Sequence, residues 1–312
     1  MRPERTPVTV LGGYLGAGKT TVVNAILAGD HGRRLAVLVN DFGSVNIDAD
    51  LIIDHNGNTI SLQNGCICCS IADSLGDALD AVLAFEPPPD QILIEASGVA
   101  EPAKVSAYGQ GWPGCRLDAV VVLADVESIQ KLATDEFVGD VVQRQLSAAD
   151  IVVVTKCDLV DPLRVGTVTD WVATNTGGRP VVFTSYQANI DPVLLLDPPQ
   201  TDFVDPSHAV TVQPGSSGAR FISHVETFST PIRSETLADA LATWPGAVVR
   251  VKGIVDVDES GAANIVHRVG RRWTIEPWNG PAAYTAPRRL MAIATAHPPN
   301  LDLAQLLQAL TD

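Results

Sequence analysis

A glycine-rich segment near the amino terminus constrains the fold more than any other feature of the sequence. Residues 13–20 read GYLGAGKT and match the pattern G-x-x-x-x-G-K-[ST]. The segment follows an apolar strand predicted at 8–11 and opens a helix predicted at 18–28, which is the context that this motif requires. The backbone N–H groups of such a loop, with the positive end of the helix, can hold a chain of phosphates. A chance glycine-rich turn is the alternative, and the placement of the strand and the helix counts against it.

Each polar position of this loop has an expected role in nucleotide binding. The Lys19 ammonium would reach the β- and γ-phosphates, and the Thr20 hydroxyl would ligate magnesium. Both are therefore candidate catalytic residues. The residues of the loop predicted to bind the nucleotide are Gly13, Gly16, Ala17, Gly18, Lys19, Thr20 and Thr21.

Strands and helices alternate over the first two-thirds of the chain. Near-continuous apolar runs are typical of a parallel sheet that is covered on both faces, so the predicted fold class is α/β with a mostly parallel sheet. One interruption, at 51–63, is predicted to be a hairpin around the Asn56-Gly57 turn. The remaining strands are predicted at 35–39, 91–94, 118–124, 151–155 and 181–184, and the remaining helices at 70–84, 140–149 and 162–175.

A change of composition at 197–218 separates two parts of the chain. This stretch is rich in proline and glycine, which is typical of a linker. We predict a first domain at 1–200, a linker at 201–218 and a smaller α+β domain at 219–312. In the second domain, strands are predicted at 222–228, 248–257, 264–269, 271–276 and 290–294, and helices at 235–243 and 301–310.

The charge balance excludes some classes of partner. The chain has 21 Lys and Arg against 36 Asp and Glu, a net charge of −15, whereas nucleic acids and anionic membranes attract a cationic face.

No apolar run approaches the roughly 18–20 residues of a membrane span, and residues 1–7 lead into no signal-peptide core. Three of the five cysteines lie within 66–69, which fits free thiols in a reducing compartment. We expect a cytoplasmic protein without a nucleic-acid or membrane partner.

The segment that follows the strand at 91–94 carries a candidate magnesium-side acid. Glu95 comes at the carboxyl end of this strand, where a parallel sheet would place it beside the glycine-rich loop at 13–20, here called the phosphate loop. Glu95 is therefore a candidate catalytic and magnesium-binding residue, and the N–H of Gly98 could contact a γ-phosphate. The alternative for Glu95 is a solvated loop acid.

A third motif, Thr155-Lys156-Cys157-Asp158, follows the strand at 151–155. The Asp158 carboxylate could accept two hydrogen bonds from the N1–H and the exocyclic amine of guanine, a pair of donors that adenine lacks. The methylene stem of Lys156 would cover the face of the base. Thr155, Lys156 and Asp158 therefore predict selection of GTP and GDP.

Cys66, Cys68 and Cys69 lie between the phosphate loop and Glu95. Closely spaced thiolates suit zinc and other soft or borderline metals. Cys66 and Cys68, on one side of an extended segment, are the best chelating pair, and Cys69 is the expected third ligand. The alternatives are a vicinal disulfide switch and a structural role for the cysteines.

These motifs together resemble the CobW-type family of P-loop GTPases, a metallochaperone-like group with a C-x-C-C signature. The resemblance rests on GGYLGAGKTT at 12–21, NDFG at 40–43, GCICC at 65–69, EASG at 95–98 and TKCD at 155–158. It continues with VRVKGI at 249–254 and HRVG at 267–270, which look like the C-terminal domain of the family. The resemblance implies GTP hydrolysis coupled to the delivery of a divalent metal to an apo-metalloprotein client. The metal would be zinc, or cobalt or iron in some branches. Because the sequence shows no obvious glutamine to orient water and no assignable arginine finger, we expect slow intrinsic turnover.

Three positions depart from the family pattern. Asp41 stands where the family usually has Glu, and it keeps a carboxylate on the magnesium or switch side. Ser44 stands where a second Glu is common, so that carboxylate is not carried over. Thr155 replaces the Asn of many guanine motifs, and we expect it to weaken the tie between the base pocket and the phosphate loop. The six histidines are scattered, so the sequence has no histidine-rich metal store.

Several functions are compatible with these residues. The first is a GTPase that loads and releases a metal, and the second is a GTP-gated assembly factor for a metalloenzyme. A thiol-based metal or redox sensor is the third. A P-loop kinase is the fourth, and the guanine motif counts against it. Self-association is open in each case, and only transfer of metal to a defined client separates the first function from the others.

Overall fold

The computed structural model describes residues 5–29, 32–40, 59–62, 71–197, 221–258, 262–278, 288–295 and 301–311. The chain divides into two compact units, Glu4–Asp197 and Pro198–Asp312, the latter with Met1–Pro3. The predicted linker at 201–218 lies outside the described residues. Among the described residues, no helix has both the length and the apolar character that a membrane crossing requires.

The first unit is built on a seven-stranded sheet in which every described strand pair is parallel. Its order is β3-β2-β4-β1-β5-β6-β7. All residues of β1, β4 and β6 are buried, as expected for strands covered on both faces. The predicted α/β fold with a mostly parallel sheet is confirmed. The strands are β1 (Thr6–Gly13), β2 (Leu35–Asn40), β3 (Thr59–Leu62), β4 (Gln91–Ala96), β5 (Cys115–Asp125), β6 (Ile151–Thr155) and β7 (Val181–Thr184).

In the part of this unit that the structure describes, six α-helices lie between the strands: α1 (Lys19–Ala28), α2 (Ile71–Leu83), α3 (Pro102–Gly111), α4 (Ile129–Leu132), α5 (Gly139–Ser147) and α6 (Pro162–Asn175). Helix α6 begins where the sequence predicts, because the Asp161 side chain accepts a hydrogen bond from the Arg164 N–H and Pro162 occupies the first turn. Helix α3 is not among the helices predicted from the sequence. Its buried positions include proline, serine and glycine, so its buried face lacks an apolar stripe.

The register of the sheet brings the carboxyl ends of its central strands to one edge. Leu11 of β1 pairs with Glu95 of β4 and with Val121 of β5. Asp125, the last residue of β5, pairs with Thr155, the last residue of β6. The segments that follow β1, β4, β5 and β6 therefore begin next to one another, which is where open α/β sheets bind their ligands.

The predicted hairpin at 51–63 is described only in its second half. Residues Thr59–Leu62 form β3, which pairs in parallel with Leu35–Leu38 of β2. The predicted first arm at 51–54 and the Asn56-Gly57 turn lie outside the described residues, so the hairpin stays a prediction.

The second unit has a five-stranded antiparallel sheet in the order β11-β10-β9-β12-β8. Its strands are β8 (Phe221–Phe228), β9 (Val248–Val257), β10 (Ala262–Val269), β11 (Arg272–Pro277) and β12 (Arg288–Thr295), and its helices are α7 (Ser234–Thr243) and α8 (Leu303–Gln308). Leu237 and Leu241 of α7 and Leu303 and Leu307 of α8 belong to a core that includes Val251 and other strand residues. The predicted α+β character of this domain is confirmed.

A buried arginine joins the end of α7 to this sheet. Arg268 of β10 is only 1% exposed, and its guanidinium donates to the main-chain carbonyls of Leu241, Trp244 and Val248. Burial, with a smaller effect from the charge of Arg271, lowers the pKa of Arg268 to about 10. The side chain is therefore charged at neutral pH, and it satisfies carbonyls that the end of a helix leaves without a partner.

Replacing Arg268 with Met should lower the free energy of unfolding, because carbonyls buried beside the guanidinium lose their donor. The expected loss is about 1–3 kcal/mol. Urea unfolding followed by circular dichroism measures it. Arg271→Met is the matched control, because Arg271 is an exposed arginine in the turn that follows β10. Equal unfolding midpoints for the two variants would show that Arg268 does not hold this unit together.

Candidate nucleotide-binding site

The phosphate loop lies between the end of β1 and the start of α1, as predicted. Gly16 and Gly18 have φ angles of 79° and 94°, and Gly18 is the N-cap residue of α1. These left-handed conformations favour glycine because they would bring a Cβ atom too close to the backbone. The Ala17 N–H donates to the Tyr14 carbonyl at 3.1 Å, which closes the turn.

Lys19 is directed back over its own loop. Its Nζ atom lies 2.9 Å from the Gly13 carbonyl oxygen and 3.5 Å from that of Tyr14, and the residue is 9% exposed. The loop therefore contains a buried cation among backbone groups, which is the chemistry needed to bind phosphate oxygens. Thr21 lies exposed on the first turn of α1.

Thr20 and Glu95 form the polar contact between the loop and β4. The Thr20 hydroxyl donates to Glu95 Oε1 at 2.9 Å, and Glu95 is 3% exposed. A hydroxyl and a carboxylate are hard oxygen donors of the kind that magnesium prefers. The donor set therefore fits the magnesium ion that the sequence predicts at these two residues.

The segment after β4 is held tightly against the phosphate loop. A Cβ atom added to Gly98 would lie 2.5 Å from Leu15 Cδ2 and 2.9 Å from the Leu15 nitrogen, so only glycine fits at this position. On the other side, the amide of Gln145 in α5 donates to the carbonyls of Gly98 and Ala100 at 3.0 and 2.9 Å. Gln145 is buried, and the sequence analysis did not identify it because a single glutamine in an amphipathic helix carries no motif.

Thr155 ties the third motif to the phosphate loop. Its hydroxyl is buried and donates to the Ala17 carbonyl at 2.9 Å. A weaker tie was expected here, because Thr155 replaces the Asn of many guanine motifs. A threonine hydroxyl reaches the loop here because the parallel register places the end of β6 close to it.

Lys156 and Asp158 follow Thr155 and differ in their surroundings. Lys156 has a left-handed backbone, with φ 59° and ψ 30°, and its Nζ lies 2.7 Å from Asp125 Oδ2. Asp158 is exposed, and its Oδ1 atom accepts a hydrogen bond from the Gln187 N–H at 2.7 Å. Asp158 is therefore accessible to a ligand and has one oxygen already oriented by a neighbouring loop.

That neighbouring loop, residues 185–189, is a part of the candidate site that the sequence analysis missed. It follows β7, and it is anchored by hydrogen bonds from the Ser185 N–H to the Val154 carbonyl at 2.7 Å and from the Cys157 N–H to the Ser185 carbonyl at 3.1 Å. Gln187 and Ala188 both have positive φ angles. The available signal was positional, because the loop comes at the carboxyl end of a parallel strand.

The predicted metal-binding cysteines Cys66, Cys68 and Cys69, and also Asp41, lie outside the described residues. The other two cysteines, Cys115 and Cys157, are buried, reduced thiols. Burial raises the pKa of the Cys157 thiol, which donates to the Val154 carbonyl at 3.3 Å. A buried, protonated thiol is a poor metal ligand.

Two family models together match most of the chain. The model "CobW/HypB/UreG, nucleotide-binding domain" matches residues 7–183, and the model "Cobalamin synthesis protein cobW C-terminal domain" matches residues 221–312. The first begins within β1 and ends within β7, and it covers every described residue of the phosphate-loop, Glu95 and Thr155 motifs. The second covers the antiparallel sheet with its two helices.

Three curated proteins are similar in sequence. "Zinc chaperone CobW" from Sinorhizobium sp is 30% identical over 62% of this chain and 62% of its own length. "Zinc chaperone YjiA" from Escherichia coli is 36% identical over 49% of each chain. "Zinc-regulated GTPase metalloprotein activator 1" from Schizosaccharomyces pombe is 33% identical over 50% of this chain and 40% of its own length. The matches thus span less than two thirds of each relative.

Gly98→Ala should weaken the binding of a GTP analogue by about 5- to 150-fold, because an overpacked contact costs about 1–3 kcal/mol and here displaces the Leu15 backbone. Fluorescence titration with a labelled analogue measures this change. Gly166→Ala in α6 is the matched control, since a Cβ atom there meets nothing within 4 Å. Wild-type affinity in Gly98→Ala would mean that the segment after β4 can move away from the loop without consequence.

Proposed function

Because the chain belongs to the CobW/HypB/UreG family of nucleotide-binding proteins, we propose that it hydrolyses GTP and uses its nucleotide state to load and release a divalent metal for a client protein. Membership confirms the resemblance drawn from the motifs. The strongest support is that two hydrogen bonds, Thr20–Glu95 and Thr155–Ala17, connect the ends of β4 and β6 to the same phosphate loop. Such an arrangement suits a nucleotide whose phosphates and base are held by a single unit.

The phosphate end of the proposed site acts by positioning and charge. Lys19 would exchange its Gly13 carbonyl partner for phosphate oxygens, and the N–H groups of residues 16–20 would surround the β-phosphate. When bound at Thr20 and Glu95, magnesium supplies a counter-charge to the phosphate oxygens. The Gln145 amide donates to the Gly98 and Ala100 carbonyls, and no arginine finger is assigned among the residues that the structure describes. Intrinsic turnover should therefore be slow, on the order of 10⁻⁴ to 10⁻² per second.

The base end of the proposed site is built from Lys156, Asp158 and the loop at 185–189. Asp158 is exposed while its Oδ1 accepts the Gln187 N–H, so the carboxylate is oriented and still accessible. Guanine presents two adjacent donors to such a carboxylate, whereas adenine presents no such pair. These features support guanine as the recognised base.

Asp158→Asn should weaken GTP binding strongly and improve the binding of xanthosine triphosphate, because the amide donates where the carboxylate only accepts. Truncating one partner of such a charged pair costs about 2–5 kcal/mol. Competition titrations with GTP, xanthosine triphosphate and ATP measure the change. Asp161→Asn, a nearby acid that caps α6, is the control and should leave the base preference unaltered. A wild-type chain that binds ATP as tightly as GTP would contradict the guanine assignment.

The proposed cargo site is the cluster of Cys66, Cys68 and Cys69. Zinc is the first candidate, since three similar proteins carry zinc in their names, and cobalt or iron are the alternatives. The cluster lies in sequence between two segments expected to contact the γ-phosphate and its magnesium, one at 40–43 and one at 95–98. Segments of this kind become ordered around the γ-phosphate and are released after hydrolysis, so nucleotide state should alter how the thiolates converge.

Zinc affinity should differ between the nucleotide states, with the GTP-analogue form binding zinc about 5- to 150-fold more tightly than the GDP form. A chelator-competition titration in the apo, GTP-analogue and GDP states measures this coupling. Cys66→Ala should abolish tight binding, and Cys115→Ala should not, because Cys115 is buried in β5. Equal affinities in the three states would remove the nucleotide-controlled mechanism even if the Cys66 variant lost its zinc. Zinc transfer to an apo-metalloprotein then tests client delivery.

A further inference from the structure

The carboxylate of Asp125 makes two contacts at the edge of the candidate base site. Its Oδ1 atom accepts the Glu127 N–H at 2.8 Å, and its Oδ2 atom lies 2.7 Å from Lys156 Nζ. Asp125 is the last residue of β5 and pairs directly with Thr155 of β6, and the Val126 N–H donates to the Thr155 carbonyl at 3.2 Å. The sheet and the turn after β5 therefore hold this carboxylate in a set position.

Lys156 is restrained at both ends of its side chain. Its backbone has a left-handed conformation that is uncommon for residues other than glycine, which sets the direction in which the side chain leaves the chain. The ion pair with Asp125 then anchors the ammonium group. A free lysine side chain samples many rotamers, and this one loses them before any ligand arrives.

We propose that Asp125 is a positioning residue for nucleotide recognition, acting through Lys156 and without touching the nucleotide. The inference rests on the proposed function, because it requires the Lys156 stem to cover the base. Asp125 holds the stem in place, so that binding a base costs little further side-chain entropy. Asp125 also directs the ammonium group to itself rather than to the phosphates. Its effect should therefore be the same for GTP and for GDP.

A purely structural role for this ion pair predicts a different outcome. The Lys156 side chain is 36% exposed and that of Asp125 is 13% exposed, and pairs that are partly exposed contribute little to the stability of a fold. If the pair only stabilised the fold, its loss would change unfolding and leave nucleotide affinity unaltered. A positioning role predicts the opposite pattern.

A double-mutant cycle on the full chain tests the proposal. Asp125→Asn keeps an oxygen that can accept the Glu127 N–H and removes the charge, and Lys156→Met keeps a similar stem and removes the ammonium. Asp125→Asn should raise the dissociation constants of GDP and a GTP analogue equally, by about three- to tenfold, with KM raised and kcat unchanged. In the Lys156→Met background the same substitution should change affinity by less than about twofold, because the interaction is already absent.

Asp90→Asn is the matched control. The Asp90 carboxylate also accepts a main-chain N–H, that of Arg34 at 2.9 Å, and also pairs with a cation, the Arg34 guanidinium at 3.4 Å. It lies just before β4, at the amino end of that strand. Asp90→Asn should leave both dissociation constants at the wild-type value.

The outcomes separate this proposal from the proposed function. Additive losses in the cycle, or an Asp125→Asn variant with wild-type affinity, would overturn the positioning role even in a chain that prefers guanine. A wild type that prefers another base overturns the guanine assignment, and the cycle on that nucleotide still decides the role of Asp125. A wild type that binds no nucleotide overturns both.

Discussion

The parallel pairing of β1 with β4 on one side and β5 on the other is the constraint on which the candidate site depends. Leu11 faces Glu95 across one pairing and Val121 across the other. Because the strands are parallel, their carboxyl ends lie at the same edge, and the chain must leave each of them there. A one-residue shift in the β1–β4 register would move Glu95 away from Thr20 or exchange its side chain for one on the opposite face.

Polar contacts between loops then hold the site together. Thr20 contacts Glu95, Thr155 contacts Ala17, and Gln145 holds the carbonyls of Gly98 and Ala100. Each of these hydrogen bonds joins residues far apart in the sequence. Most of these side chains are buried or nearly so, where an unpaired polar group costs more than in water, so the loops are restrained by the cost of separating them.

Small residues permit the close approach of these segments. A Cβ atom on Gly12 would lie 2.5 Å from the ring of Pro102, the first residue of α3, and one on Gly98 would meet Leu15. The α3 helix packs by the same means, since the side chains of Val8 and Leu117 lie 3.3 Å from where a Cβ atom of Gly109 would be. A helix packed by small residues has no apolar stripe, which is why its sequence did not predict it. The Gln145 contact and the loop at 185–189 were missed for a related reason. A single glutamine in a helix and a short loop after a strand carry no sequence motif.

The sequence by itself determined the α/β class, the approximate positions of most strands and helices, and the residue types at the phosphate loop, at Glu95 and at Thr155–Asp158. It could do so because apolar periodicity and glycine-rich turns are local signals, read within some ten residues. Only the tertiary structure decided that Thr155 reaches the Ala17 carbonyl, that Asp125 anchors Lys156, and that Gly98 leaves no room beside Leu15. These contacts depend on the register and order of strands far apart in the chain, and no local pattern specifies which loop ends will meet.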